Sequence, residues 1–176
     1  LTGARASAVH RPGLAGKGHD ETVTSLDVPR GDVLAKTADD TFDDPQWITA
    51  ARSGPFTTLG AMARPYSDAR LLHRDGKLLL MLYAADEDIR FGDATPGAEE
   101  DAFRVTLLDD HDVMRVITVS AAGVVRDASP RASGAIEPLD PTAAIDRDGT
   151  PNDPSDQDEE WVVALAIPLA TRGDAP

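Results

Sequence analysis

Apolar residues recur at every second position along several short stretches of the chain, and no stretch sustains a helical period. Phe103, Val105 and Leu107 alternate with Arg104 and Thr106, the signature of a strand with one buried face. Trp161, Val163, Leu165 and Ile167 repeat the pattern until Pro168, which has no N–H for a ladder. Leu78 to Tyr83 (LLLMLY) is apolar at both parities, as in a central strand covered on both sides. Ala69 to His73, the turn-forming Asp75-Gly76 and Leu78 to Ala84 predict one hairpin. Met114 to Ser120 and Val124 to Arg126, flanking Ala121-Ala122-Gly123, predict another. Near the N-terminus Asp44 can cap a short helix with Pro45 at its first position and Gln46 to Ala51 following. The sum is an all-β fold, an antiparallel β-sandwich of jelly-roll-like order with one short N-terminal helix. Its expected core is Trp47, Leu71, Leu80, Leu82, Phe103, Val105, Leu107, Val116, Trp161, Val163, Leu165 and Ile167.

Outside the strands the pattern changes. Residues 1–20 mix Gly, Ala, Ser and Arg without a period and read as a flexible arm or linker. Residues 21–170 read as a single sandwich domain and 171–176 as an exit tail. From Glu137 to Glu160 nine acidic residues and one basic are interleaved with Pro, Gly and Asn, which predicts a long surface loop or several loops. The first residue is Leu1, as in a processed product or a piece of a longer chain. No run approaches the roughly 20 apolar residues of a membrane span.

Composition narrows the chemistry. The 176 residues carry 31 acidic against 17 basic side chains, a net charge of −14. That balance argues against a sequence-independent grip on nucleic acid, which needs clustered Lys and Arg. With no cysteine there is no disulfide, thiol nucleophile or thiolate metal site. His10, His19, His73 and His111 sit in no metal-binding or nucleophile motif, so no enzyme is expected. The loop from Ile145 to Glu160 spaces Asp146, Asp148, Asp153, Asp156 and Asp158 among Gly149 and Asn152. Carboxylates, amides and carbonyls on one loop are the ligands calcium takes, although this is not an EF-hand pattern; the other reading is a solvated acidic loop whose carboxylates repel one another. A second acidic group, Asp86, Glu87, Asp88, Asp93, Glu99, Glu100 and Asp101, reads as loop-capping at the sandwich rim. Arg104, in mid-strand, is the leading candidate ligand contact, with Arg90 and Arg70 behind it, because guanidinium donors suit sugar hydroxyls or a carboxylate.

Several motifs then fall in a familiar order. They are DDPQW (Asp43 to Trp47), the segment Tyr83 to Ile89, EEDAFRVTL (Glu99 to Leu107), and finally DGT, ND and EEWVVALAIPL (Asp148 to Leu169). This order resembles the family 9 carbohydrate-binding modules and the wider DOMON-like β-sandwiches, over roughly residues 36–170. The resemblance implies a non-catalytic carbohydrate-binding module of an exported protein, whether secreted, periplasmic or cell-surface. Carbohydrate and other domains of a longer parent chain would be its partners, with calcium as a structural ion. Trp47 and Trp161 match the structural tryptophans of the family, which leaves no tryptophan platform for a sugar. Two alternatives stand beside this reading. One is a DOMON-like haem-binding electron-transfer domain using His73, Met62, Met81 or Met114 as axial ligands. Methionines in apolar strands are more often core filler, so haem is not favoured. The other is a structural or assembly sandwich without a small-molecule ligand.

Overall fold

A computed structural model of the protein describes residues 4–8, 24–31, 41–58, 61–92, 100–108, 113–129, 139–153 and 155–169. Strands β1 (Ala4–Ala8) and β2 (Thr24–Val28) pair with each other. The short strands β3 (Ala51–Arg52), β4 (Thr57–Thr58) and β5 (Ala61–Met62) lead into the long hairpin β6 (Tyr66–Arg74) and β7 (Lys77–Ala85). Next come β8 (Ala102–Leu108), β9 (Met114–Ser120) and β10 (Val125–Asp127), and finally β11 (Thr142–Asp148) and β12 (Glu160–Pro168).

Two antiparallel sheets carry the fold. One has five strands in the order β11-β12-β7-β6-β3, and the other is the meander β10-β9-β8. The chain leaves the large sheet after β7 and returns to insert β12 beside it, the jelly-roll-like step of the order. Local chemistry fixes the hairpins. Asp75 and Gly76 both take positive φ, 48° and 71°, the requirement of a two-residue turn matched to strand twist. Gly123 does the corresponding work after β9, at φ 87°.

The core lies between the sheets. Leu80, Leu82, Trp161, Val163, Leu165 and Ile167 from the large sheet meet Phe103, Ile117 and Val119 from the small one. Trp161 tilts against Phe103, with ring centroids 4.5 Å apart. The other parity of β7 and β12 forms a second apolar cluster, in which Leu72, Leu79, Met81 and Ala166 are covered by Trp47 and Ala50. Apolar residues at both parities of β7 thus serve two cores. Leu71, Val105 and Leu107 are only partly buried against the first core, while Ile89, Ile117 and Val119, outside the expected set, are fully enclosed.

Three expectations meet a different local outcome. The N-terminal α-helix is not formed; the cap is followed by one 3-10 turn, Pro45–Ile48. Asp44 does accept from the Gln46 N–H, but Ala51 and Arg52 pair at once with Leu71 and Arg70. Sheet pairing outweighs extending so short a helix, whose nucleation is costly. The acidic stretch is not all loop, because β11 runs through it and pairs with β12 from Thr142 to Asp148. Ala143 and Ile145 pack on the core while Asp146 and Asp148 are exposed on the opposite face, a charged edge strand. Within the first twenty residues, Ala4–Ala8 form β1. The tail 171–176 lies outside the described residues. Among those described, no helix is long and apolar enough to cross a membrane.

Candidate functional site on the outer sheet face

The outer face of the large sheet is divided. Trp47 and Ala50 close one end, and the Trp47 indole N–H is spent on the Thr41 carbonyl at 2.8 Å. The other end is open, and two tyrosines stand on it. Asp68 lies opposite Tyr83 and Tyr66 opposite Ala85 in the β6–β7 register, which sets both rings on one face. Their centroids are 6.2 Å apart at 64°, an edge-to-face pair. Tyr66 is 37 % exposed, so a ring face remains available.

Polar groups surround the pair. The Tyr66 hydroxyl donates to Asp68 Oδ2 at 2.8 Å. That bond, with burial and the Asp68 charge behind it, raises the Tyr66 pKa. Tyr83 is hydrogen-bonded to Glu160, and this bond, followed by burial and the Glu160 charge, pushes its pKa up to about 12. Both phenols therefore stay protonated at neutral pH and hold the carboxylates in place. On the β3–β6 side Arg52 lies directly opposite Arg70 in register. Their charges act on Tyr66, and neither belongs to any ion pair among the described residues.

The residues singled out from the sequence scatter over the molecule. Arg70 belongs to this face. Arg104 is exposed on the small sheet, with Phe103 inward. Arg90 is exposed and bonded to Asp88, which lowers the Asp88 pKa. Tyr66, Tyr83, Arg52, Asp68 and Glu160 were not marked by the sequence, because only cross-strand register assembles them. The isolated tyrosine between proline and serine at 66 and the aromatic end of LLLMLY at 83 were the available signals.

The five calcium candidates do not converge. Asp146 and Asp148 project from β11, and Asp153 and Asp156 are exposed in the following turn. Asp153 accepts from the Ser155 hydroxyl and N–H, bonds that lower its pKa. Asp158 is buried, 4 % exposed, and its Oδ2 takes the Ile89 N–H at 2.7 Å. Among the described residues no group of three or more His, Asp or Glu side chains is placed to hold a metal ion. The second acidic group behaves similarly. Asp101 Oδ2 accepts from Arg90 N–H at 2.7 Å, and Asp86 Oδ1 from Asp88 N–H at 3.3 Å. Asp93 and Glu99 lie outside the described residues, as do His10, His19 and His111.

The haem candidates are dispersed too. Met81 is buried in the cluster around Trp47, Met62 and Met114 are 60 % and 43 % exposed, and His73 is on β6 beside Pro29 and Gly31, whose backbones it bonds. A cleft of about 640 Å³ between Arg30, Gly31, Gln46 and Arg74 has its charges engaged internally. Arg30 and Arg74 meet Asp75, and the Asp44 carboxylate takes the Gln46 backbone and side-chain N–H groups. Comparison with protein families, with curated proteins and with solved structures returned no match to this chain.

Proposed function

We propose that the protein is a non-catalytic carbohydrate-binding β-sandwich, similar to the family 9 and DOMON-like modules, whose ligand face is the open end of the large sheet. The observation that carries this reading is the Tyr66–Tyr83 pair, Tyr66 exposed and Tyr83 half-buried, on the large sheet with Asp68, Glu160, Arg52 and Arg70 around it. A sugar presents an apolar ring face and a rim of hydroxyls. An exposed phenol ring matches the first, and carboxylate acceptors with guanidinium donors match the second. The tryptophan platform missing from the sequence is replaced here by tyrosine, since Trp47 and Trp161 are both buried. The module reading places the protein outside the cell or in the periplasm, joined to other domains of a longer chain.

Isothermal titration against a panel of neutral and acidic oligosaccharides tests the proposal. At least one sugar should give heat at millimolar concentration or below, and Tyr66→Ala should weaken that binding about tenfold or more, as loss of an aromatic anchor does. No heat with any sugar at millimolar concentration would remove the reading.

A further inference from the structure

We propose that the ligand of the outer face is an acidic saccharide: a uronic acid unit on an otherwise neutral glycan, its carboxylate seated between Arg52 and Arg70. The inference rests on the carbohydrate reading above and narrows the ligand class. Three observations carry it.

First, Arg52 and Arg70 occupy opposed positions on β3 and β6. Like charges directly across a strand pair oppose folding. None of the ion pairs among the described residues reaches either arginine. Two guanidinium side chains borne at opposed positions of one strand pair, in no ion pair among the described residues, suit a planar carboxylate.

Second, the carboxylates beside the ring pair each bond a tyrosine and keep further acceptor sites for a ligand. Asp68 is bound by the Tyr66 hydroxyl and Glu160 by that of Tyr83. The tyrosines thus draw the carboxylates toward the ring pair, while Arg52 is exposed on the edge strand β3 and Arg70 is half-buried on β6 beside it.

Third, the face is polarised across its strands. Arg52 and Arg70 stand on the β3–β6 side with Asp68 as the one acid of that side placed on this face by register, whereas Glu160, Asp146 and Asp148 stand on the β12–β11 side. A ligand with one carboxylate and neutral hydroxyls elsewhere fits that gradient. Its acid group meets the arginines, its ring meets Tyr66, and its hydroxyls donate to Asp68 and Glu160. A polymer charged at every unit would carry anions into the acidic edge.

The test uses a matched pair of probes: a disaccharide of glucuronic acid linked to a neutral sugar, and the same disaccharide with its carboxyl reduced to the alcohol. Binding is measured by calorimetry or by amide chemical shifts. The acid should bind about tenfold more tightly than the alcohol, and the ratio should shrink in 0.5 M salt, where exposed charges are screened. Arg52→Gln with Arg70→Gln should bring the ratio to about one. The melting temperature of that double variant should not fall, because a repulsive pair is removed, so misfolding will not mimic the effect. Equal binding of both probes, sensitive to Tyr66→Ala, would overturn the acidic preference and leave the carbohydrate reading standing. A preference that survives the double substitution would place the carboxylate elsewhere and also overturn it. If neither probe nor any sugar of the wider panel binds, the carbohydrate reading itself falls.

Discussion

The acid-rich end of the sandwich and the outer face of its large sheet both carry charged residues, yet their charges are used in opposite ways. At the acid-rich end polar side chains stand in for backbone. Asp158 takes the Ile89 N–H and Asp101 the Arg90 N–H. Asn152 bonds both the N–H and the carbonyl of Phe91. Residues 86–91 leave the sheet after β7, and these side chains replace the strand partner they have lost; the Ile89 bond is buried, where an unpaired N–H would be costly. On the outer face Arg52 and Arg70 belong to no ion pair among the described residues. Charged residues in a sequence thus divide by whether the fold itself uses up their hydrogen-bonding capacity. The remainder is what a ligand can meet.

The sharpest way to break the acid-rich end is through Gly149. Its φ is +131°, and a Cβ there would overlap Asp158 Oδ1 and lie 2.7 Å from the Asp158 backbone. Gly149→Ala must displace the chain that holds Ile89. Denaturant unfolding should show a loss of about 3 kcal/mol or more, in the range of overpacked or strained sites. Asp158→Ala comes next. It strands the Ile89 N–H, a charge-assisted bond in a buried site, and should lose about 2 kcal/mol. Asp158→Asn keeps an acceptor for that N–H and should lose less. If both substitutions leave the unfolding midpoint unchanged, Asp158 does not hold the loop.

Legibility in the sequence follows the range of the interactions involved. Asp75-Gly76 and the double-parity run at β7 are local signals, and both produced the structure they predicted. The Asp44 cap was legible, but the length of what followed was not, because β3 pairs with a strand it meets only in three dimensions. β11 was hidden because an edge strand tolerates charge on its outer side, and Ala143 with Ile145 is a faint alternation among so many carboxylates. The candidate site was the least legible part. Arg70 could be named as a donor in a strand, but Arg52, Asp68 and the two tyrosines acquire meaning only from register. The buried role of Asp158 was invisible for the same reason: its partner, Ile89, lies in a different loop.

On the outer face the comparison predicts that the tyrosine hydroxyls, unlike the arginines, are tied down. Neither tyrosine should ionise near 10 in an ultraviolet pH titration, and Tyr83 should wait until about 12. A phenol whose folded pKa is raised contributes stability that is complete below its unfolded value, about 10, and is lost as pH rises through the folded one. Glu160→Gln should therefore return the Tyr83 titration toward 10 and cost little at neutral pH. An unmoved titration would mean that burial, rather than Glu160, holds the proton.

The smallest effect tests whether the acid-rich end bears a surplus of negative charge. Asp86 has its pKa raised by burial first, against the Asp88 N–H that lowers it, and then by the charges of Asp101, Asp88 and Asp158. A carboxyl whose folded pKa lies above its unfolded value gives the fold its full support in acid, where it is protonated. That support is withdrawn as pH rises through the folded pKa, so at neutral pH the ionised Asp86 opposes folding. Asp86→Asn keeps an acceptor for the Asp88 N–H and removes the charge. It should stabilise the protein by about 0.5 kcal/mol at pH 7, allowing for the screening of a partly exposed group. The two proteins should converge as pH falls below the carboxylate range. Removing the charge of Asp127 should do the reverse. Burial pushes that carboxyl up, but the Ser129 hydroxyl, the Ser129 N–H and the Leu139 N–H together hold it below its ordinary value. Asp127→Asn should therefore destabilise at neutral pH, with the difference fading as pH falls through the folded pKa. Opposite signs at Asp86 and Asp127 would show that the carboxylates are sorted by their donors. The same sign at both would reduce the effect to net charge.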